Sequence, residues 1–356
     1  MTKQPCISVI IPFFNAEAHL SKCLRSLMDQ DISEPLEILL INDCSTDNSL
    51  EIIKNFNFPN IKIFSLEKNS GPSAARNKGI EKANGEYLFF LDADDFILKE
   101  TLNLLLKKAK TGNISLVFCD KKRIESSIDN RDNNFAYISN KDFSKSDIIE
   151  EIKKRVSDPN HTLGVIGCHG KLIKYSILLE NNIKFEEKLR FMEDEIFMID
   201  VLGCSDKVSY IRKQLYIYNI NPNVSSGRSE AFNYIFPTSN FKIMSNHVKK
   251  SFLRKSCSIE VVNKYEKQAL IYYIIYTLIS YSLSILRGKV SLKKGLEQRK
   301  QILKNIINDK DIFEAVKSYT PSKDESKWIP RAISFKSYLL LEFFCNLRAK
   351  QLIKKI

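Results

Sequence analysis

The sequence predicts an α/β fold: a Rossmann-like, mostly parallel sheet flanked by helices, followed by a basic, mainly helical C-terminal region. Three observations carry this. Short β-rich runs alternate with segments of helical period through the first 120 residues. The runs, such as VII and YLFFL, are apolar without a break, which suits strands covered on both faces. Of a net charge of +13, about +12 falls within residues 251–356, where the pattern is helical and basic.

The elements follow in order. CISVIIPFF is the first strand; one lysine before the apolar run and no small-residue cleavage site argue against a signal peptide. AEAHLSKCLRSLMDQ reads as a helix, LEILLIND as a strand, DNSLEIIKNF as a helix and IKIFSLE as a strand. PSAARNKGIEKAN, GEYLFFLDAD, LKETLNLLLKKAK and ISLVFCD continue the alternation. From about 121 to 160 the chain is polar and turn-rich and is expected to be a surface connection. A helix-like KLIKYSILLE, an acidic RFMEDEIFMIDVL and a strand-like QLYIYNI follow. The expected division is a domain of residues 1–228, with halves 1–120 and 121–228, and a helical region of 229–356.

With 356 residues, 44% of them hydrophobic, the chain can bury a large core. Its eight cysteines never approach metal-knuckle spacing and suggest reduced thiols in a cytosolic compartment.

In parallel sheets, ligands collect where the strands end. Three stretches stand there: Pro12 to Asn15, Asn42 with Asp43, and Asp92 to Asp95. In FLDADDF, strand alternation would put Asp92 and Asp94 on one side and Asp95 on the other. Two carboxylates that close either bind a hard cation or raise one another's pKa; alternatively they belong to a solvated loop capping the next helix. Asp43, ending a buried strand, could accept the imide N–H of a uracil base, whereas Asp47 is more simply an N-cap. Arg76, in SGPSAARNKGI, suits a surface salt bridge or, pointing inward, a diphosphate or the acidic cluster itself.

Other motifs are absent. The turn after the first strand reads PFFNAE rather than a Gly-rich dinucleotide fingerprint, and no phosphate loop of the G-x-x-x-x-G-K-[ST] type occurs. An aspartyl-phosphate phosphatase would carry its Asp-x-Asp on the first strand, not the fourth. Nothing points to nucleic acid.

SVIIPFFNAEAHLSKCLRSLMDQ, EILLINDCSTDNS, SGPSAARNKGI and GEYLFFLDADD, in this order and spacing, resemble the N-terminal half of the family 2 glycosyltransferases. The likeness covers about the first 100 residues closely and extends more loosely to about 225. It implies a GT-A fold whose first half, 1–120, binds the donor and whose second, 121–228, meets the acceptor. It further implies inverting transfer of a sugar from a nucleotide diphosphate, usually with Mn²⁺ or Mg²⁺ at the Asp-x-Asp motif. By the same resemblance Pro12, Asn15 and Asp43 line the donor pocket, Arg76 lies beside the donor, Asp92 faces the ribose and donor sugar, and Asp94 holds the metal with Asp92.

An acceptor hydroxyl needs a base. Glu193, Asp194 and Glu195 read simply as the acidic first turn of a helix. The family has a Glu-Asp pair here whose Asp is the base, which falls on Asp194, with Glu193 on the acceptor side; Met192 replaces the usual Gly-like residue. His19, His161 and His169 read as structural, with His169 the one that could approach the acceptor.

Residues 268–286 carry no charge for 19 positions, yet four Tyr, three Ser and one Thr favour a packed helix over a membrane span. Residues 335–356 mix large apolar side chains with Lys336, Arg348, Lys350, Lys354 and Lys355, as a helix on an anionic membrane surface would, or an ordinary amphipathic helix. The expectation is therefore a cytoplasmic enzyme, peripheral on the inner membrane face, that transfers one sugar per encounter from a UDP-sugar to a glycan or lipid-linked acceptor in bacterial surface polysaccharide synthesis. A metal-dependent nucleotidyltransferase and a catalytically degenerate scaffold of the same fold remain the rivals.

Overall fold

The computed structural model describes residues 4–56, 58, 60–125, 139–157, 167–220, 237–288, 292–321 and 326–353. Two compact units form, one of residues 1–148 and 163–223, the other of 149–162 and 224–356. By this division residues 149–162 fall in the helical unit.

The first unit is built on one nine-stranded sheet. Its parallel half is β1 (Ile7–Phe13), β2 (Leu36–Asn42), β3 (Ile61–Ser65) and β4 (Tyr87–Phe90), in the order β3-β2-β1-β4. Between them run α1 (Leu20–Met28), α2 (Ser49–Lys54) and α3 (Pro72–Lys82). Every residue of β2 is buried, as its unbroken LEILLIN predicts. Its one charge, Glu37, is satisfied internally by Ser8 Oγ at 2.5 Å, the Asn84 amide at 2.6 Å and Lys62 Nζ at 2.8 Å.

The other half is mixed. β5 (Phe96–Ile97), α4 (Thr101–Gly112), β6 (Leu116–Glu125), β7 (Lys141–Phe143), α5 (Lys145–Ser157, from Ile149 on a part of the second unit), β8 (Lys171–Lys174), α6 (Tyr175–Glu180), α7 (Glu193–Cys204) and β9 (Val208–Ile220) follow along the chain. β8 runs antiparallel between β4 and β6, and β9 lies parallel to β6. Here two expectations need correction. KLIKYSILLE is not one helix: KLIK is β8, and the chain bends at the extended Lys174 into α6. The polar stretch 121–160 is not all connection either, since it completes β6 and contains α5. That helix buries Ile148, Ile152 and Val156, one residue per turn, a stripe hidden among charged neighbours.

The second unit contains α8 (Thr238–Arg254), α9 (Ile259–Leu286), α10 (Leu292–Asn308), α11 (Lys310–Lys317), α12 (Trp328–Ser334) and α13 (Tyr338–Ile353). Ser258 caps α9 through its hydroxyl. α9 holds the uncharged 268–286 run and is long and apolar enough to cross a membrane, yet two thirds of its most apolar window, 67%, is buried. It packs against α8, α11 and α13, with Tyr272, Tyr273 and Tyr281 buried on it and Arg155 lying 5.1 Å over the Tyr272 ring.

Candidate active site

β4 ends at Phe90, and the Asp95 amide bonds back to the Asp92 carbonyl at 3.0 Å. A turn therefore replaces the strand over Asp92 to Asp95, and side-chain alternation no longer applies. This corrects the expected placement of Asp95 on the opposite side: the carboxylates of Asp92, Asp94 and Asp95 lie within 4.8 Å of one another. Asp95 is buried and oriented, accepting from Tyr216 Oη at 2.5 Å and the Asn219 amide at 2.9 Å. The Tyr216 hydroxyl also accepts from the Asp92 amide at 3.3 Å, so β9 clamps the turn.

Arg76 on α3 is buried and turns inward. Its Nη2 donates to Asp92 Oδ1 at 3.0 Å, and its Nη1 lies 3.5 Å from Glu193 Oε1. Of the partners open to it in sequence, the acidic cluster is the one it meets. His169 Nε2 stands 2.6 Å from the other Asp92 oxygen. Burial opposes ionisation of Asp92, but His169 and Arg76 overcome it and hold this carboxyl well below the ordinary range. The neighbours behave oppositely. Desolvation and the Asp92 charge raise Asp94 to about 6, and burial with Asp92 and Asp94 raises Asp95 to about 8. Burial and Asp194 raise Glu193 to about 7.

α7 begins at Glu193, directly after Met192, whose φ of +64° is left-handed. That conformation accounts for a glycine-like residue being at home here. Asp194 Oδ1 accepts from the Glu195 amide at 2.8 Å. Across from it Gly167, at φ +81°, leaves a space into which three side chains converge: a Cβ there would meet Asp194 Oδ2 and Lys121 Nζ at 3.2 Å and His169 Nδ1 at 3.4 Å. Lys121 Nζ is also 3.3 Å from His169 Nδ1. Sequence reasoning passed over Lys121 because it stands in the charged run DKKRIE, where nothing separates an inward lysine from its neighbours.

The remaining predicted residues hold loops at the ends of β1 and β2. Asp43 accepts from the Ser70 amide at 2.7 Å and the Gly71 amide at 2.8 Å, where Gly71 turns with φ +89°. Asn15, at φ +49°, accepts from the Thr46 amide at 2.8 Å. Asp47, expected as the N-cap of α2, stands one residue before the N-cap Asn48 and accepts from the Ser49 and Glu17 amides at 3.0 Å each. Pro12 lies opposite Ile41, past Ile10, where pairing with β4 stops and a missing N–H is tolerated. Among the described residues no hydrogen bond or ion pair joins Pro12, Asn15 or Asp43 to the Asp92 cluster, whereas Arg76, Asp92, Glu193 and His169 form one connected group. His161 lies outside the described residues.

The cluster fits a hard cation. Among the described residues no basic side chain pairs with Asp94 or Asp95, and burial together with the charges of their acidic neighbours raises both carboxyls.

Residues 8–178 match the family model described as glycosyl transferase family 2. An uncharacterised glycosyltransferase of Haemophilus influenzae is 43% identical over 125 residues, 33% of this chain and 49% of its own, so the chain spans about half of that relative. The cholesterol galactosyltransferase of Borreliella burgdorferi is 26% identical over 352 residues, 95% of this chain and 94% of its own. The crystal structure of Staphylococcus aureus TarS 1–349 with UDP-GlcNAc superposes with a TM-score of 0.69 at 20% identity, covering 97% of this chain and 92% of that one. TarS is a poly(ribitol-phosphate) β-N-acetylglucosaminyltransferase. The overlay shows the fold, and the family match falls on the same strand ends that carry the acidic turn. Residues 8–178 thus carry a glycosyl transferase family 2 domain, seated on the mixed, largely parallel sheet.

Proposed function

We propose that this enzyme transfers a sugar with inversion from a nucleotide diphosphate donor, a UDP-sugar by preference, to a hydroxyl of a glycan or lipid-linked acceptor in bacterial surface polysaccharide synthesis. One observation carries the reading: a turn of three converging carboxylates in which Asp92 is held by Arg76 and His169, whereas Asp94 and Asp95 meet no basic side chain among the described residues. Asp94, with Asp92, would hold Mn²⁺ or Mg²⁺, which when bound neutralises charge developing on the diphosphate leaving group. Arg76 fixes Asp92 and places Glu193 beside it. Asp194 is the base: it takes the acceptor hydroxyl proton on Oδ2, the oxygen that faces the space over Gly167, while its Oδ1 stays bound to the α7 backbone. Asp43, Asn15 and Pro12 shape the pocket for the base of the nucleotide. UDP-GlcNAc in TarS supports a uridine donor, and the polyol and sterol named for relatives support a hydroxyl acceptor. The eight cysteines, none of them in a disulfide, support a reducing cytoplasmic setting.

The test is a screen of nucleotide-sugars for turnover with Mn²⁺ and with chelator. Metal-dependent release of UDP is expected. Release of pyrophosphate would favour a nucleotidyltransferase, and donor binding with no turnover of any sugar would favour a scaffold.

A further inference from the structure

α13 is apolar on two opposite faces. Leu341, Cys345 and Ala349, spaced by four, are fully buried, and Arg299 pins this inner side by donating to Asn346 Oδ1 at 2.6 Å and Glu342 Oε1 at 2.8 Å. Leu339, Phe343 and Leu347, also spaced by four, look outward at 74%, 58% and 41% exposure. Phe335, 72% exposed, and Trp328, 52% exposed, extend this surface towards α12, with Trp328 stacked on Phe344 at 5.4 Å. Folding does not need the outer stripe, because the inner one already seats the helix. A contiguous row of large apolar groups facing water marks an interaction surface.

Charge indicates what covers it. The one acid on these two helices, Glu342, is paired with Arg299. Arg331 lies 4.9 Å over the Trp328 ring and the exposed Lys336 directly follows Phe335, so guanidinium and ammonium groups border the apolar row. Lys327, just before α12, and Lys350 on α13 are also exposed. An aromatic and aliphatic surface edged by cations is complementary to the boundary between acyl chains and anionic headgroups. A second copy of this face would set cations against cations.

We infer that the α12–α13 face docks on an anionic phospholipid bilayer, with Trp328, Phe335, Leu339, Phe343 and Leu347 entering the interface and Arg331 and Lys336 meeting headgroups. This is independent of the reading of the acidic turn. Such docking would present the enzyme to an acceptor carried in the membrane.

Trp328 is the only tryptophan in the chain and stands on the proposed face, so its fluorescence reports docking directly. Full-length protein is titrated with vesicles of mixed phosphatidylglycerol and phosphatidylcholine, and bound protein is counted by sedimentation. A blue shift of Trp328 is expected, with binding that falls as salt rises. Leu339→Glu with Phe343→Glu should weaken partition by about tenfold or more, and Arg331→Glu with Lys336→Glu by about tenfold on anionic vesicles. Unchanged melting temperatures establish that both variants fold. Equal binding by the Leu339/Phe343 variant, equal binding to pure phosphatidylcholine, or no Trp328 shift would overturn the inference. So would a dimer in sedimentation velocity that the Leu339/Phe343 variant abolishes, which would make the face a contact between copies.

Discussion

Asp92 and Asp94 stand two residues apart in one turn and share a neighbourhood, yet they are treated in opposite ways. Asp92 has a guanidinium on one oxygen and an imidazole on the other, and its carboxyl is pulled far down. Asp94, without a basic partner among the described residues, is raised to about 6, and Asp95 behind it to about 8, although Tyr216 and Asn219 hold it in place. Under the proposed function, the difference suits a cation that the protein does not itself supply. The chain fixes one carboxylate with permanent charge, orients a second by hydrogen bonds, and leaves the third to be neutralised from outside. Glu37 is the contrasting case in the same unit: a buried carboxylate whose partners all come from the chain.

The largest effect is expected at the uncompensated end. Asp94→Ala should reduce metal-dependent donor turnover by about a thousandfold or more, equivalent to about 4 kcal/mol, while leaving the melting temperature of the chelated protein unchanged or higher. Retention of half the rate at saturating Mn²⁺ would remove Asp94 from the metal site. At the compensated end, Arg76→Met should destabilise the fold by about 3–5 kcal/mol in urea titration, because it strands Asp92 and Glu193 without their buried cation. A smaller loss than Asp94→Ala produces in stability would reverse the contrast.

Across the site, Asp194→Asn should lower transfer by roughly a hundredfold, about 2.7 kcal/mol, with UDP binding by calorimetry nearly unchanged. Weak UDP binding with normal turnover at saturation would move Asp194 to the donor side. Glu37 sharpens the comparison through pH. Burial opposes its ionisation, but Lys62, Ser8 and the Asn84 amide prevail and lower its pKa. Its contribution is therefore present above the ordinary glutamate value, about 4.3, and lost as pH falls through the depressed folded value. Glu37→Gln should cost about 2 kcal/mol at neutral pH and flatten this acid limb, measured by melting from neutral to acidic pH.

The smallest effect lies at Met192. Glycine there would relieve a left-handed strain of about 1 kcal/mol but remove a buried side chain contributing about 1.5–3 kcal/mol, so Met192→Gly should destabilise by about 1 kcal/mol. A rise in melting temperature would show that the strain is the larger of the two.

Much of this was legible in the chain order. LEILLIN and YLFF declare buried strands because no face of them tolerates water, and the acidic turn, the Arg76 turn and the Glu-Asp pair each occupy one short stretch. α5 was missed because its one-per-turn apolar stripe is diluted by six charged residues between Lys145 and Ser157 that are not evenly spaced. β8 was absorbed into a helix because four residues are too few to show period 2 against period 3.6.

What the sequence determined by itself was therefore local: the strand and helix rhythm, the candidate carboxylates, and the C-terminal position of the basic charge. Tertiary structure decided the partners. That Asp95 joins Asp92 and Asp94 depends on a turn and on Tyr216, 121 residues further along. That Arg76 answers Asp92 rather than solvent depends on α3 packing against β1 and β2 beside the turn that follows β4, and that Lys121, His169 and Asp194 meet over Gly167 depends on distant stretches of chain coming together. Coulomb and hydrogen-bond energies depend on distance in space, and the order of residues along a chain does not encode that distance until the sheet has formed.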